Sequence, residues 1–484
     1  MAVVGIAGLF ASVSQARELL DAITTPWVDP WLTRPPVLDT GKVLPGDSDP
    51  PSCPDSTAWT VAGVTHPLTL SEAVDLALCH NPQVHSAWAA VKVQAVALGE
   101  ARAAYLPTVS AGISRLTDHT RYPDSKVPSA TLHSSTLSGN VQWRLFDFGG
   151  RGAKRDAANA LLSAALASHD AVLQKTLTLV VTTYFDAQTA HALWLARQTN
   201  ASLARQTLDT ARRREAHSAG ARSDTLQAVT ALAKAELERS RAQGGYRKAI
   251  AALVHVLGLP SGAEPVLVED LHDSTGRLQQ ELKVWLQQAQ ASHPAMLAAR
   301  AHWEAARERV TVVRSEGLPS IEMTGNYFQN GRPNQGLSAT RTQETLLGVT
   351  LNVPLFDGFA HTYKVRGAQA QVEQKETEWR DTEHQVLMEV VKAHADASAA
   401  LENLTASREL LAAAQGAMET MRRRHDRGAA DILEILNTQA ALSDAQQERI
   451  RCMAEWRSSR LRLISTAGML GTLQMEKNTD PHPD

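Results

Sequence analysis

Residues 145–149 are Leu-Phe-Asp-Phe-Gly, and residues 355–358 are Leu-Phe-Asp-Gly. Each segment is preceded by residues that alternate between apolar and polar, and each is followed by about 70 residues that contain no proline. Alternation with period two predicts a β-strand with one apolar face, whereas the long proline-free runs predict very long helices. Because the two junctions lie 210 residues apart, the chain is predicted to contain one structural plan twice.

Other motifs recur at nearly the same separation. The offset is 212 residues before the hairpins and 210 after them, for Asn81-Pro82 with His293-Pro294, Leu106-Pro107 with Leu318-Pro319, and the arginine triplets 212–214 with 422–424. The glycines that we expect to end the long helices, Gly220 and Gly428, lie only 208 residues apart. We therefore predict that the second hairpin is two residues shorter and that the second helical turn is shorter again.

The remaining organisation follows from local composition. An apolar stretch at 3–13 followed by Ser14-Gln15-Ala16 predicts a signal peptide cleaved after Ala16, atypical because no Lys or Arg precedes the stretch. The predicted segments are a signal peptide at 1–16, a Pro-rich arm at 17–67, a first repeat at 68–258 with strands about 108–116 and 136–146, a linker at 259–279, a second repeat at 280–470 with strands about 320–329 and 345–356, and a C-terminal tail at 471–484.

Composition excludes several classes of protein. Aromatic residues make up only 5% of the chain, and Ala, Leu, Gln, Glu and Arg fill its long segments, a profile typical of long amphipathic helices. The net charge of −3 leaves no basic surface of the size that nucleic acid requires. No apolar run of 18 residues follows the N-terminal stretch, which argues against an α-helical inner-membrane protein.

The sequence carries no recognisable catalytic or metal-binding motif. The 17 histidines are scattered without HExxH spacing, and neither a P-loop nor GxSxG is present. The three cysteines have no metal-ligand spacing, and Cys79 and Cys452 fall within helical patterns, where we expect buried free thiols. The sequence therefore predicts a protein that is not an enzyme and that holds neither a metal nor a cofactor.

The lengths of the elements constrain the assembly. A helix of 70 residues extends roughly 105 Å, so it must pack against parallel neighbours in a bundle, a coiled coil or a helical tube. Four strands are too few to close a barrel, and an open sheet edge cannot face lipid. Three copies of the chain would supply twelve strands, with apolar residues outside and polar residues inside.

The order of elements over residues 68–470 resembles that of the TolC family of outer-membrane channels. The segments that carry the resemblance are LSEA at 70–73, Asn81-Pro82, EARAAYLP at 100–107, WRLFDFG at 143–149, Thr183-Tyr184-Phe185 and VPLFDG at 353–358. The resemblance implies a mixed α and β membrane protein, a homotrimer whose 12-stranded β-barrel crosses the lipid of the outer membrane. It also implies that a long periplasmic α-helical barrel continues the β-barrel.

Within this family the chain resembles the channels of type I secretion. That resemblance implies export of a protein toxin, of the adenylate cyclase–haemolysin (cyclolysin) class, directly from cytoplasm to exterior. It also implies an inner-membrane ABC transporter and a periplasmic adaptor (membrane fusion protein) as partners. The outer-membrane component of a drug or metal efflux pump is the alternative, followed by a soluble periplasmic coiled-coil scaffold, in which the apolar faces of four strands would have no role.

Family members close their periplasmic end with polar and charged residues at the two helix–helix turns. The resemblance places Gly428 at the glycine of the second turn and Glu434 at an acidic position that faces the pore. Asn437 falls where a second acid is common, and His425 and Ala430 fall where some members have a tyrosine and an arginine. The candidate gate is therefore Asp224, Asp431, Glu434, Asn437 and His425, which would form acidic rings selecting cations.

Helix chemistry offers simpler roles for the charged residues at the turns. Asp224 and Asp431 each lie between a glycine and a helix, where an acid can cap the helix or stabilise its first turn. The triplets Arg212, Arg213, Arg214 and Arg422, Arg423, Arg424 precede Gly220 and Gly428, and positive charge near a helix C-terminus is stabilising. The alternative function of both triplets and both glycines is contact with the adaptor or the transporter.

Overall fold

The computed structural model describes residues 67–121, 123, 128–218, 220–268, 281–332, 342–426 and 431–468. Within these residues the helices are α1 (Leu70–His80), α2 (Pro82–Ala103), α3 (Gly150–Ala216), α4 (Arg222–Val256), α5 (Leu282–Ser292), α6 (Pro294–Glu316), α7 (Ala360–Asp426) and α8 (Ile432–Thr466). The strands are β1 (Thr108–Thr120), β2 (Ala130–Phe146), β3 (Ser320–Gln329) and β4 (Gln343–Asn352). The predicted signal peptide, nearly all of the arm, the end of the linker and the tail lie outside the described residues.

The helices of the two repeats match in length and spacing. Both α3 and α7 have 67 residues, and both α4 and α8 have 35. In each pair the second helix begins 210 residues after the first, so the turns 217–221 and 427–431 have equal length. The predicted shortening of the second turn is therefore wrong, because the two glycines stand at different positions in turns of the same size.

The described residues pack as two compact units, and each unit takes segments from both repeats. Apart from the gaps given above, the first contains 90–166 and 298–379, and the second contains 67–89, 167–297 and 380–468. The repeats predicted at 68–258 and 280–470 are therefore repeats of sequence and of secondary structure. Neither repeat forms a unit by itself.

The first unit contains a four-stranded antiparallel sheet in the order β1-β2-β3-β4. Residues 117–120 and 130–135, predicted to belong to a polar loop, are strand residues that pair across the first hairpin. Strand β3 has the predicted bounds, whereas β4 spans Gln343–Asn352 instead of about 345–356. The ladder ends at Asn352 because Pro354 has no amide hydrogen to donate.

One face of this sheet is apolar and the other is polar. Val109 and Ile113 in β1 are 74% and 85% exposed, and Leu347 and Val349 in β4 are 75% and 66% exposed. Within the described residues β1 pairs only with β2 and β4 only with β3, which leaves two unpaired edges. A large exposed apolar surface with free backbone edges is typical of a sheet that is covered and extended by something else.

The core of the second unit contains two apolar clusters at matching positions of the repeats. One surrounds Val180 and Leu253, and the other surrounds Val390 and Leu463; each of these side chains is at most 1% exposed. Both pairs are 210 residues apart, so the duplication extends to the packing. Within the described residues, no helix combines the length and the apolar character that crossing a membrane requires.

Part of the predicted linker belongs to the first of these clusters. Leu259 and Leu267 are buried in it, and the backbone of Leu68 bonds to this segment on both sides. Leu68 donates to the carbonyl of Val266 at 2.6 Å and accepts from the amide of Val268 at 3.2 Å. The prediction of a linker that starts at 259 is therefore wrong for residues 259–268, since apolar burial and backbone pairing hold them in the core.

The helices α2 and α6 begin with the same capping arrangement. Asn81 Oδ1 accepts a hydrogen bond from the amide of Gln83 at 2.8 Å, and His293 Nδ1 accepts one from the amide of Ala295 at 3.2 Å. The next residue in each case is a proline, whose fixed φ suits the first position of a helix. Burial lowers the pKa of His293, because desolvation disfavours the charged ring, and only an unprotonated Nδ1 can accept.

Two covalent and conformational features complete the second unit. Cys79 is disulfide-bonded and Cys452 is a buried free thiol, so the prediction of free thiols is wrong for Cys79 and confirmed for Cys452. Gly258 ends α4 with φ +71, and its counterpart Gly468 ends α8 with φ +77. A Cβ on Gly258 would lie 2.5 Å from the carbonyl oxygen of His80, so glycine is required there for space as well as for conformation.

Candidate functional site

The predicted gate lies where the long helices end, within the second unit. The last turns of α3 and the first turns of α4 and α8 share a small apolar core, composed of Leu208, Ala211, Ala228 and Ile432. Burial of Ile432 and Leu208 holds the start of α8 against α3. This packing fixes the positions from which the acidic side chains of the first turns project.

The two aspartates of the turns have different local roles. Asp431 is the N-cap of α8, and its Oδ1 accepts a hydrogen bond from the amide of Ile432 at 2.6 Å. Asp224 lies one position further along, within the first turn of α4, whose N-cap Ala221 makes no side-chain cap bond. Asp431 is therefore a cap, and Asp224 is a first-turn acid that favours the helix through its dipole.

The constant offset pairs the polar residues of the two turns anew. Asp224 corresponds to Glu434, and Gln227 corresponds to Asn437, each at 210 residues. Glu434 and Asn437 are exposed, and three residues separate them on one face of α8. Each repeat therefore contributes one acid and one amide at the same places in its helix. Aligning the glycines of the turns concealed this correspondence, which the helix starts reveal.

The other predicted residues lie around the same turns. His425 is in the last turn of α7, but its side chain lies outside the described residues, as does Gly428. Gly220 lies in the turn before α4, where it is partly buried.

Both arginine triplets lie near helix C-termini. Arg212 and Arg213 of α3 are exposed and Arg214 is partly buried, whereas Arg422, Arg423 and Arg424 of α7 are all exposed. Arg423 forms an ion pair with Glu419 one turn earlier. Their location supports the helix-dipole role, and their exposure leaves them accessible to a partner.

Sequence reasoning missed a polar contact between the helices of the second unit. The guanidinium of Arg197 in α3 donates to Glu238 Oε2 in α4 and to Gln447 Oε1 in α8. Gln439, Ser443 and Gln447 are each 6% exposed and recur every four residues along α8. Buried amides require hydrogen-bond partners, so this stripe fixes the register of α8. The four-residue spacing of polar residues is the signal that could have identified it.

A second polar network, also unpredicted, lies on the polar face of the sheet in the first unit. Asn140 Nδ2 donates to Asn326 Oδ1 at 2.6 Å across the β2–β3 ladder. Two residues further along, Arg144 donates to Glu322 Oε1 from Nε at 3.0 Å and from a terminal nitrogen at 2.8 Å. Gln142 Nε2 donates to the other oxygen of Glu322 at 3.3 Å.

Arg144 is positioned by the junction between β2 and α3. The β2–β3 register shifts between Arg144 and Phe146, so Leu145 is a bulge residue. The guanidinium of Arg151 donates to the carbonyls of Arg144 and Leu145 at 2.6 and 3.0 Å, and its Nε donates to Asp147 Oδ2 at 3.1 Å. Asp147 also accepts from the amide of Arg151 at 3.0 Å, so one aspartate holds both the helix start and the arginine.

The matching junction before α7 has a different composition. Asp357 Oδ2 accepts from the amide of His361 at 2.7 Å, as Asp147 does from Arg151. Both aspartates therefore act as predicted, bonding to the start of a long helix. Arg144 has no counterpart, because Pro354 stands at the position 210 residues further on.

The described residues contain no group of three or more His, Cys, Asp or Glu side chains that could hold a metal ion. The candidate site thus consists of an acidic pair of helix starts and a polar sheet face. Both arrangements present charge and hydrogen-bonding groups on exposed surfaces. Such surfaces are suited to guiding a solute or a chain past them.

Comparison with known proteins places this architecture. The outer membrane efflux protein family matches residues 73–259 and 285–469. Protein CyaE of Bordetella pertussis is 33% identical over 443 residues, which cover 91% of this chain and 90% of that protein. The outer membrane efflux protein BepC of Brucella suis is 26% identical over 384 residues, which cover 78% of this chain and 80% of that protein.

A solved structure has the same fold. The outer membrane protein VceC of Vibrio cholerae matches with a TM-score of 0.71 at 20% sequence identity. The match covers 82% of this chain and 96% of VceC. At this level of identity the similarity concerns the fold.

Proposed function

The chain belongs to the outer membrane efflux protein family, and on that premise we propose that it is the outer-membrane exit duct of a type I secretion system. Family membership confirms the expected resemblance to TolC-like channels, the mixed α and β fold class and the location in the outer membrane. The chain is therefore an outer-membrane channel for efflux or secretion. The kind of cargo, the partners and the trimer belong to the proposal.

The observation that carries the proposal is the two-faced sheet with two free edges. Its apolar face would contact lipid, and its polar face would line a wet lumen. The edge of β4 in one copy would pair with the edge of β1 in the next, because an unpaired backbone is costly in hydrocarbon. Three copies would close twelve strands, and the long helices would continue the duct into the periplasm.

Similarity to CyaE supports secretion of a protein over efflux of small molecules. CyaE is a type I secretion outer-membrane protein, and it is more similar to this chain than the efflux protein BepC, in identity and in coverage of both chains. We therefore propose a protein toxin as cargo, cyclolysin or one like it, with an ABC transporter and a periplasmic adaptor as partners. An efflux duct is the second candidate. The soluble scaffold has no support left, since the family is one of outer-membrane channels.

The helix starts support a gate at the periplasmic end of such a duct. If Asp224 and Glu434 occupy equivalent positions, a trimer places six carboxylates around one axis, with six amides from Gln227 and Asn437 nearby. Rings of carboxylates favour cations. Asp431 would add three further acids as caps of α8, and the exposed arginines near the helix ends are the proposed contacts for adaptor and transporter.

Cross-linking in the native cell followed by purification of the chain tests the assignment. Recovery of an ABC transporter, an adaptor and a secreted protein is expected for type I secretion. Recovery of a proton-driven inner-membrane pump instead would reject secretion in favour of efflux. Recovery of the chain as a soluble protein without detergent would reject the duct altogether.

The gate has its own test in planar bilayers. Replacing Asp224 with Asn and Glu434 with Gln together should lower the preference for K⁺ over Cl⁻, because six charges are removed. The matched control is Asp444→Asn, an exposed acid further along α8, which should leave selectivity unchanged. An unchanged preference in the double variant would reject the acidic gate.

A further inference from the structure

The polar face of the sheet is almost free of net charge. Its central residues are small or uncharged and include Ser138, Asn140, Gln142, Thr324, Asn326 and Thr350, which the ladders place on one face. Arg144 and Glu322 are the charged residues at the end of this face nearest the junction with α3. They stand directly opposite each other in the β2–β3 register.

Arg144 and Glu322 form a closed but accessible pair. Two guanidinium nitrogens approach the same carboxylate oxygen at 2.8 and 3.0 Å, and Gln142 occupies the other oxygen. The side chains remain 52% and 23% exposed, so a passing ion or chain can reach them. The bulge carbonyls held by Arg151 fix the backbone from which Arg144 extends.

The pair occurs once in each chain despite the duplication. Glu322 corresponds to Ser110 in the first repeat, at an offset of 212, and Arg144 corresponds to Pro354 in the second, at 210. Neither replacement can carry charge. A trimer would therefore hold three pairs at one level of the lumen, and the loss of one partner would expose three like charges there.

We propose that the Arg144–Glu322 pair determines the charge selectivity of the exit segment by cancelling two potential rings of opposite sign. This inference rests on the proposed function, in which the polar face lines a trimeric pore. Three uncompensated charges at one level of a lumen attract counterions and repel ions of their own sign. With the pair intact, a polypeptide that carries both signs of charge meets no ring of one sign.

Reversal potentials in planar bilayers under a KCl gradient test the inference with the full-length trimer. Glu322→Gln keeps an acceptor for Arg144 and should shift the potential towards anion selectivity. Arg144→Gln should shift it towards cation selectivity. The double variant Arg144→Gln/Glu322→Gln and the charge-exchanged variant Arg144→Glu/Glu322→Arg should both return to the wild-type potential.

A control on the α3 helix separates this effect from charge in general. Arg155 and Asp156 form an ion pair of the same 2.8 Å separation with both side chains about half exposed. Arg155→Gln and Asp156→Asn should each leave the potential unchanged.

The outcomes separate the inference from the proposed function. A wild-type protein that forms no conducting trimer would reject the duct itself. A conducting trimer whose two single variants keep the wild-type potential would overturn the role of the pair. Single variants that shift the potential without restoration in the double variant would overturn cancellation as the mechanism.

Discussion

Replacing Arg151 with methionine tests how the strand–helix junction is held. Methionine keeps the length of the apolar stem but removes three hydrogen bonds from the guanidinium, to the carbonyls of Arg144 and Leu145 and to Asp147. Charge-assisted bonds contribute roughly 1.5–3 kcal/mol each when the partner is left buried and unpaired. Water can reach the bulge carbonyls, so we use about 1 kcal/mol each and expect a loss of about 3 kcal/mol.

Denaturation by urea in detergent micelles, followed by far-UV circular dichroism, measures this loss. Arg155→Met is the matched control, because Arg155 has an aspartate partner but is about half exposed at its side chain, and exposed ion pairs contribute little. The midpoint should fall clearly for Arg151→Met and stay unchanged for the control. Equal midpoints for the two variants would refute the role assigned to Arg151.

Three further predictions concern the second unit and use the same assay. Asp431→Ala should cost about 1 kcal/mol through loss of the cap on Ile432, and more than Asp224→Ala; equal costs would contradict the assignment of Asp431 alone as a cap. Because burial lowers the pKa of His293, the folded state favours the neutral ring, and stability should fall as pH drops below about 6.5. His293→Asn, which copies the cap of Asn81, should reduce this fall; an unchanged pH profile would contradict the role of His293. Gly258→Ala should cost at least about 2 kcal/mol through clash and strain, whereas Gly262→Ala, with nothing within 4 Å, should cost far less; similar losses would contradict the requirement for glycine.

The sequence allowed the repeated elements to be predicted but not the full length of the first hairpin. Residues 117–120 and 130–135 lack an apolar alternation, so local pattern favoured a loop. Their pairing is stabilised across the strands instead, by Thr117 Oγ1 with His133 Nδ1 at 3.0 Å and His119 Nδ1 with Thr131 Oγ1 at 2.8 Å. Cross-strand contacts of this kind depend on register, which a single strand does not specify.

The candidate sites show the same limit. The acids of the turns were found because each repeat ends a long helix in a recognisable way. Their correspondence was missed because glycine can occupy several positions in a turn of fixed length. Arg144 and Glu322 could not be paired from sequence, since 178 residues separate them and only the β2–β3 ladder brings them together.

That separation also constrains the order in which the sheet can assemble. The β1–β2 hairpin closes a short loop of nine residues, 121–129, and can form as soon as it is synthesised. The β2–β3 ladder must close a loop of 178 residues or more, which costs about 2.5 kcal/mol more in chain entropy by a logarithmic dependence on length. Its apolar face stays without the neighbouring strand until the second half of the chain has arrived. During biogenesis the first hairpin is therefore an early, adhesive intermediate, and the central ladder is a late step.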